Sequence, residues 1–138
     1  MTEAKLSGAR ARPLSPHLSI YKPMLTMMMS IAHRITGAAL YCGTALLVWW
    51  LIAAASGPNP YAKVQWFMGT IIGRVILFGY TFALIHHMYG GIRHFIWDTG
   101  RGLGPTEREW LVRVGLAGSI ATTIALWIVG YAVMGGTQ

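Results

Sequence analysis

Three stretches of this chain are long, apolar and free of formal charge: Ile35 to Ala55, Val75 to Ile92 and Val114 to Met134. A helix that crosses a bilayer needs about 20 apolar residues, and backbone in hydrocarbon must satisfy its own hydrogen bonds. The first and third runs meet that length, and the second does so once Arg93 and His94 are counted with it. Neither the first nor the third has a polar face to turn to water, which excludes a soluble three-helix bundle. The expected fold is all-α, with three transmembrane helices over 27–55, 74–98 and 107–134 in a single membrane-anchor domain, 1–138. Residues 1–26 form its N-terminal segment. The composition agrees: 54 % of residues are hydrophobic and 11 % charged, against roughly 25 % charged in an average soluble domain.

A net charge of +7 invites a nucleic-acid reading. The distribution of the charges excludes it, because the basic residues sit between the apolar runs and not along one face. Lys5, Arg10, Arg12, Lys22 and Arg34 precede the first run, and Arg93, Arg101, Arg108 and Arg113 lie between the second and third. The other loop holds only Lys63 and Arg74. The positive-inside rule then puts the N-terminus in the cytoplasm and the C-terminus outside. The first 23 residues lack the apolar core of a secretory signal and are short for an organelle transit peptide, which favours a bacterial inner membrane.

The loops carry their own punctuation. Ser56-Gly57-Pro58-Asn59-Pro60 stops the first helix, and Tyr61 to Gly73 is expected to form a short interfacial helix. Thr106 with Glu109 has the spacing of a capping box for the third span. Small residues at Gly115, Gly118, Ser119, Thr122 and Thr123 suit close helix packing. Cys42 is the single cysteine, which excludes an intrachain disulfide, and it reads as a small packing residue.

Chemistry concentrates in His86-His87-Met88-Tyr89-Gly90-Gly91-Ile92-Arg93-His94, at the inner end of the second span. Ionisable groups in a membrane helix are usually retained for function, and histidine is a common ligand of buried haem iron. His87 and His94 are seven apart and share a helix face. Their separation along the axis is roughly 10 Å, so one iron cannot take both. His87 is therefore the candidate ligand, with an interhelical hydrogen-bonded histidine as the plain alternative. For His86 and His94 the plain alternative is the better reading. His33, lying just before the first apolar run, is expected near the surface and too shallow to oppose His87. That places the sixth ligand on another polypeptide.

A second polar spot is Ser30-Ile31-Ala32-His33-Arg34-Ile35-Thr36-Gly37. Ser30 and Arg34 are four apart and stack on one face. They sit among Met27, Met28, Met29 and Ile31, as in a pocket for a small amphipathic ligand. Arg34 can donate to a ligand carbonyl or a haem propionate, and the plain alternative is a snorkelling interfacial arginine.

Three blocks together carry a resemblance. Arg12-Pro13-Leu14-Ser15-Pro16-His17-Leu18-Ser19-Ile20-Tyr21, then SIAHRITG at Ser30 to Gly37, then HHMYGGIRHFIWD at His86 to Asp98 occur in this order. The chain resembles the cytochrome b subunits of succinate dehydrogenase, the larger membrane anchors of respiratory complex II. The first block looks like the version shared by mitochondria and their bacterial relatives. The resemblance implies that His87 is the axial ligand of haem b, that Ser30 and Arg34 line a quinone site facing the cytoplasm, and that His33 and Arg34 contact the haem propionates. It implies a smaller anchor subunit supplying the second axial histidine, an iron–sulfur subunit and a flavoprotein subunit. Electrons from succinate would reach ubiquinone, linking the tricarboxylic acid cycle to the respiratory chain. The chain has no dinucleotide fingerprint and no cysteine cluster, so no catalysis is expected of it alone. Two rivals remain: a haem b subunit of another quinone-linked dehydrogenase, and a haem-free membrane anchor.

Overall fold

The computed structural model describes residues 21–135. Lys5, Arg10, Arg12, His17 and most of the expected N-terminal segment lie outside the described residues. Four helices follow in order: α1 (Leu25–Ala55), α2 (Pro58–Gly69), α3 (Ile71–Asp98) and α4 (Pro105–Gly135). Among the described residues α1, α3 and α4 are long and apolar enough to cross a membrane. The 31 residues of α1 and of α4 extend about 46 Å each. That exceeds the roughly 30 Å of bilayer hydrocarbon, so both helices continue beyond it or tilt.

The boundaries have local causes. Ser56 closes α1, its hydroxyl donating to Ile52 O at 2.7 Å. Gly57 then takes φ 107°, a region closed to most side chains, and Pro58 opens α2 where no amide donor is needed. The short helix expected between the first two spans thus begins three residues before Tyr61 and ends at Gly69. Thr70 both terminates α2 and caps α3, its Oγ1 accepting from Gly73 N at 3.1 Å.

The capping box is displaced. Pro105 opens α4 at its first position, and Glu107 reaches back to accept from Gly104 N at 3.2 Å. Glu109 instead pairs with Arg113 at 3.1 Å, one turn on.

Helix α3 is the centre of the bundle and packs against the other three. It runs antiparallel to α1 and to α4. The start of α1 meets the end of α3 through His33 and His94, while Phe78 near the start of α3 meets Trp127 near the end of α4. The α3–α4 seam uses the small residues as expected: Gly118 lies under the Tyr89 ring, and Ser119 and Thr123 are fully buried. Cys42 departs from expectation. It lies exposed on α1, so packing within the described chain does not account for it.

The interior inverts the pattern of a soluble protein. Buried polar side chains (Thr36, His86, Arg93, Ser119 and Thr123) match in number the buried hydrophobic ones (Ala53, Val64, Ala83, Ile85 and Val112). Large apolar residues such as Tyr41, Ile71 and Phe95 face outward. With lipid outside there is no hydrophobic drive between helices, and polar contacts and close packing take its place.

Candidate functional site

The site lies where the start of α1 crosses the end of α3. The His33 and His87 rings stack with centroids 3.9 Å apart and planes 8° from parallel. Two glycines on opposing helices make this possible. A Cβ on Gly37 would sit 3.0 Å from His87 Cε1, and one on Gly90 would run into the His33 ring. His94 adds a third imidazole, tilted 45° at 5.7 Å from His33, and packs edge-on against Trp97.

The hydrogen bonds assign a tautomer. His87 Nδ1 lies 3.1 Å from the carbonyl oxygen of His33. A carbonyl can only accept, so Nδ1 carries the proton and donates. Thr36 Oγ1 donates to the same carbonyl at 2.9 Å and lies 3.4 Å from His87 Nδ1. The lone pair of a neutral His87 is thereby left on Nε2, which has no hydrogen-bond partner among the described residues. A backbone acceptor holding Nδ1–H is the usual support behind a metal-ligating imidazole.

This geometry overturns the depth argument about His33. The two histidines are level. Helix α1 begins eight residues before His33, because Arg34 ends the charge-free run without ending the helix. Even so, His33 and His87 cannot share an iron across their stack, because an imidazole binds metal through a lone pair in its own plane. His33 Nδ1 is buried with no partner.

His86 faces the other way. Its Nδ1 lies 3.2 Å from Ser119 Oγ, and Ser119 donates its own proton to Leu116 O at 2.8 Å. The serine oxygen therefore accepts from His86. With its ring stacked on Phe82 at 5.5 Å, His86 is a packed and satisfied histidine of the α3–α4 seam.

Ser30 and Arg34 lie exposed on the flank of α1 beside His33. Arg34 follows His33 and points about 100° further round the helix. Neither side chain has a partner among the described residues, so both are open to whatever lies against this flank. Sequence reasoning missed the role of Thr36 and Gly37. The signal was available: His33, Thr36 and Gly37 stand at i, i+3 and i+4, one face of one helix.

No cluster of three or more His, Cys, Asp or Glu able to hold a bare metal ion occurs among the described residues. A single imidazole with a free Nε2 suits a metal that brings its remaining ligands with it, as iron in a macrocycle does. A separate cavity of 620 Å³ opens between α2, α3 and α4 at the other end of the bundle, lined by Arg74, Leu77, Thr81, Trp127 and Tyr131 among others. It contains no histidine, and the histidine seam remains the better candidate on chemistry.

Fold and seam together define an integral membrane helix bundle built around paired histidines. A model of the succinate dehydrogenase/fumarate reductase transmembrane subunit family matches residues 8–130. The succinate dehydrogenase cytochrome b556 subunit of Paracoccus denitrificans is 39 % identical over 118 residues, covering 86 % of this chain and 91 % of that protein. Its counterpart in Rickettsia conorii is 36 % identical over 131 residues, covering 93 % of this chain and all of that protein. The mitochondrial cytochrome b560 subunit of Sus scrofa is 42 % identical over 96 residues, 67 % of this chain and 56 % of that protein. The chain belongs to the family of succinate dehydrogenase/fumarate reductase transmembrane subunits, the membrane anchors of complex II.

Proposed function

We propose that this chain is the haem b- and ubiquinone-binding anchor of a succinate:ubiquinone oxidoreductase, with His87 as an axial ligand of the haem iron. The observation that carries the reading is the His87 Nδ1–H bond to the His33 carbonyl, which leaves Nε2 free to ligate. When bound, the haem supplies a one-electron carrier inside the bilayer. This chain's residues do the rest. The carbonyl of His33 and the hydroxyl of Thr36 hold the His87 ring in register. Gly37 and Gly90 make room for the stacked imidazoles. His33 and Arg34 would hold the haem propionates in this reading.

Ser30 donates a hydrogen bond to a quinone carbonyl in this reading, and Arg34 stabilises the negative charge that reduction places on that oxygen. Their exposed flank requires the pocket to be completed from outside the chain. A smaller anchor subunit provides the second axial histidine. The iron–sulfur subunit closes the quinone pocket and delivers electrons drawn from succinate at a flavoprotein subunit. The N-terminus and quinone site face the cytoplasm of a bacterial cell, following the basic-residue asymmetry.

The test is a reduced-minus-oxidised spectrum of the purified complex, with its subunit count. A b-type absorbance that disappears in H87A and persists in H86A supports the reading. An unchanged spectrum in H87A removes it and favours a haem-free anchor.

A further inference from the structure

Arg74 is a cation whose anion is not among the described residues. It is the fourth residue of α3, it is exposed, and its Cζ lies 6.0 Å over the Tyr131 ring of α4. It forms no ion pair among the described residues, whose acidic side chains (Asp98, Glu107 and Glu109) all sit at the other end of the bundle. The 28 residues of α3 extend about 42 Å, against roughly 30 Å of bilayer hydrocarbon. The first turn of α3, with Arg74 in it, therefore falls at the level of the lipid headgroups.

Arg74 also lines the 620 Å³ cavity between α2, α3 and α4, a size usual for a bound small molecule, roughly 300–1,000 Å³. The cavity runs inward along α3 from Arg74 past Leu77 to Thr81, about 10 Å along the axis. Inside it the polar groups are already used: Trp127 Nε1 donates to Thr81 Oγ1 at 3.3 Å, and Thr81 donates to Leu77 O at 2.7 Å. Room remains on the α4 wall, where a Cβ on Gly130 would meet nothing within 4 Å. A cation at the mouth and an apolar slot behind it suit a molecule with an anionic head and an apolar tail, and the guanidinium fork suits a phosphate. We propose that this cavity is a phospholipid site, with the headgroup phosphate on Arg74 and an acyl chain laid between α3 and α4. A carboxylate from a partner chain would satisfy Arg74 but leave the slot unfilled, whereas a phospholipid accounts for both. The site is independent of the haem reading: His87 lies 13 residues further along α3, about 20 Å away.

The experiment strips the intact complex of lipid in detergent and counts bound molecules by native mass spectrometry, with the subunit count as the check on assembly. Three probes separate head from tail: phosphatidylglycerol, a diacylglycerol with the same chains and no phosphate, and inorganic phosphate. At equal concentration the unmodified complex is expected to retain phosphatidylglycerol over the other two. R74Q should weaken that retention roughly tenfold, and R74K should fall between. G130L fills the slot from a position with space for a side chain and should weaken retention with Arg74 intact; it carries the test alone where R74Q does not assemble. Unchanged phosphatidylglycerol binding in the variants that assemble overturns the proposal. Diacylglycerol held as well as phosphatidylglycerol overturns the role of the phosphate. Inorganic phosphate bound through Arg74 with no effect of G130L on phosphatidylglycerol would make this an anion site without a lipid, and also overturns it. So does loss of a partner subunit from R74Q at unchanged lipid binding, which would assign Arg74 to a carboxylate of that partner.

Discussion

Helix α3 carries two adjacent histidines into two different seams. On the α4 side the seam is closed: His86 bonds to Ser119, Tyr89 OH lies 3.1 Å from Thr122 Oγ1, and Trp127 Nε1 donates to Thr81 Oγ1 at 3.3 Å. On the α1 side the seam is unfinished. His87 has one ring nitrogen bonded and one free, the His33 Nδ1 is orphaned, and Ser30 and Arg34 face outward. The first seam has what a membrane bundle needs to hold itself together. The second leaves polar groups without partners among the described residues, and that difference, not the presence of histidine, sets it apart as the side of the proposed site. Position on the helix decides it: consecutive residues point about 100° apart.

The sharpest break of this contrast compares the two histidines directly. H87A should abolish the b-type absorbance of the intact complex, while H86A should keep it and lower only thermal stability. A reversed result would exchange the roles of the two seams. Next in size, S30A and R34A should depress quinone reduction about tenfold or more while sparing succinate oxidation by an artificial dye. Equal loss of both activities would identify an assembly defect instead.

Two substitutions then probe packing. G90A drives a Cβ into the His33 ring, and overpacking of this kind typically destabilises by about 1–3 kcal/mol. A lower midpoint in thermal unfolding of the detergent-solubilised complex would register it. S119A removes the partner of His86, for an expected loss near 0.6 kcal/mol, since interhelical hydrogen bonds in membranes are worth little more on average. A loss several times larger would mean that the closed seam also supports the unfinished one. The smallest effect is expected at the Glu109–Arg113 pair, whose side chains are 65 % and 58 % exposed in the order Arg113, Glu109. E109A should shift stability by no more than a few tenths of a kcal/mol, and less in high salt.

The spans and the histidine block were legible because hydrocarbon imposes length and the cost of ionisable groups makes them conspicuous. The level of His33 was not. A charge-free run measures where apolar composition begins, whereas α1 begins at Leu25 and carries Arg34 within it. Depth is then set by how α1 docks on α3, through Gly37 and Gly90, and no one-dimensional count contains that. The start of α4 failed for a similar reason. Two acidic residues, Glu107 and Glu109, compete for the cap, and Pro105 decides between them by fixing the first helical position. The roles of Ser30 and Arg34 depend on the flank that meets them, which this chain alone does not supply.

The bond that orients His87 ends on a main-chain oxygen. No exchange of side chain at position 33 deletes that acceptor, so mutation there can alter stacking while leaving the proton on Nδ1. What the acceptor does respond to is displacement of α1 as a body. Anything that slides or tilts this helix against its neighbour would re-aim the lone pair, making the mechanical seating of one transmembrane segment a determinant of the chemistry on another.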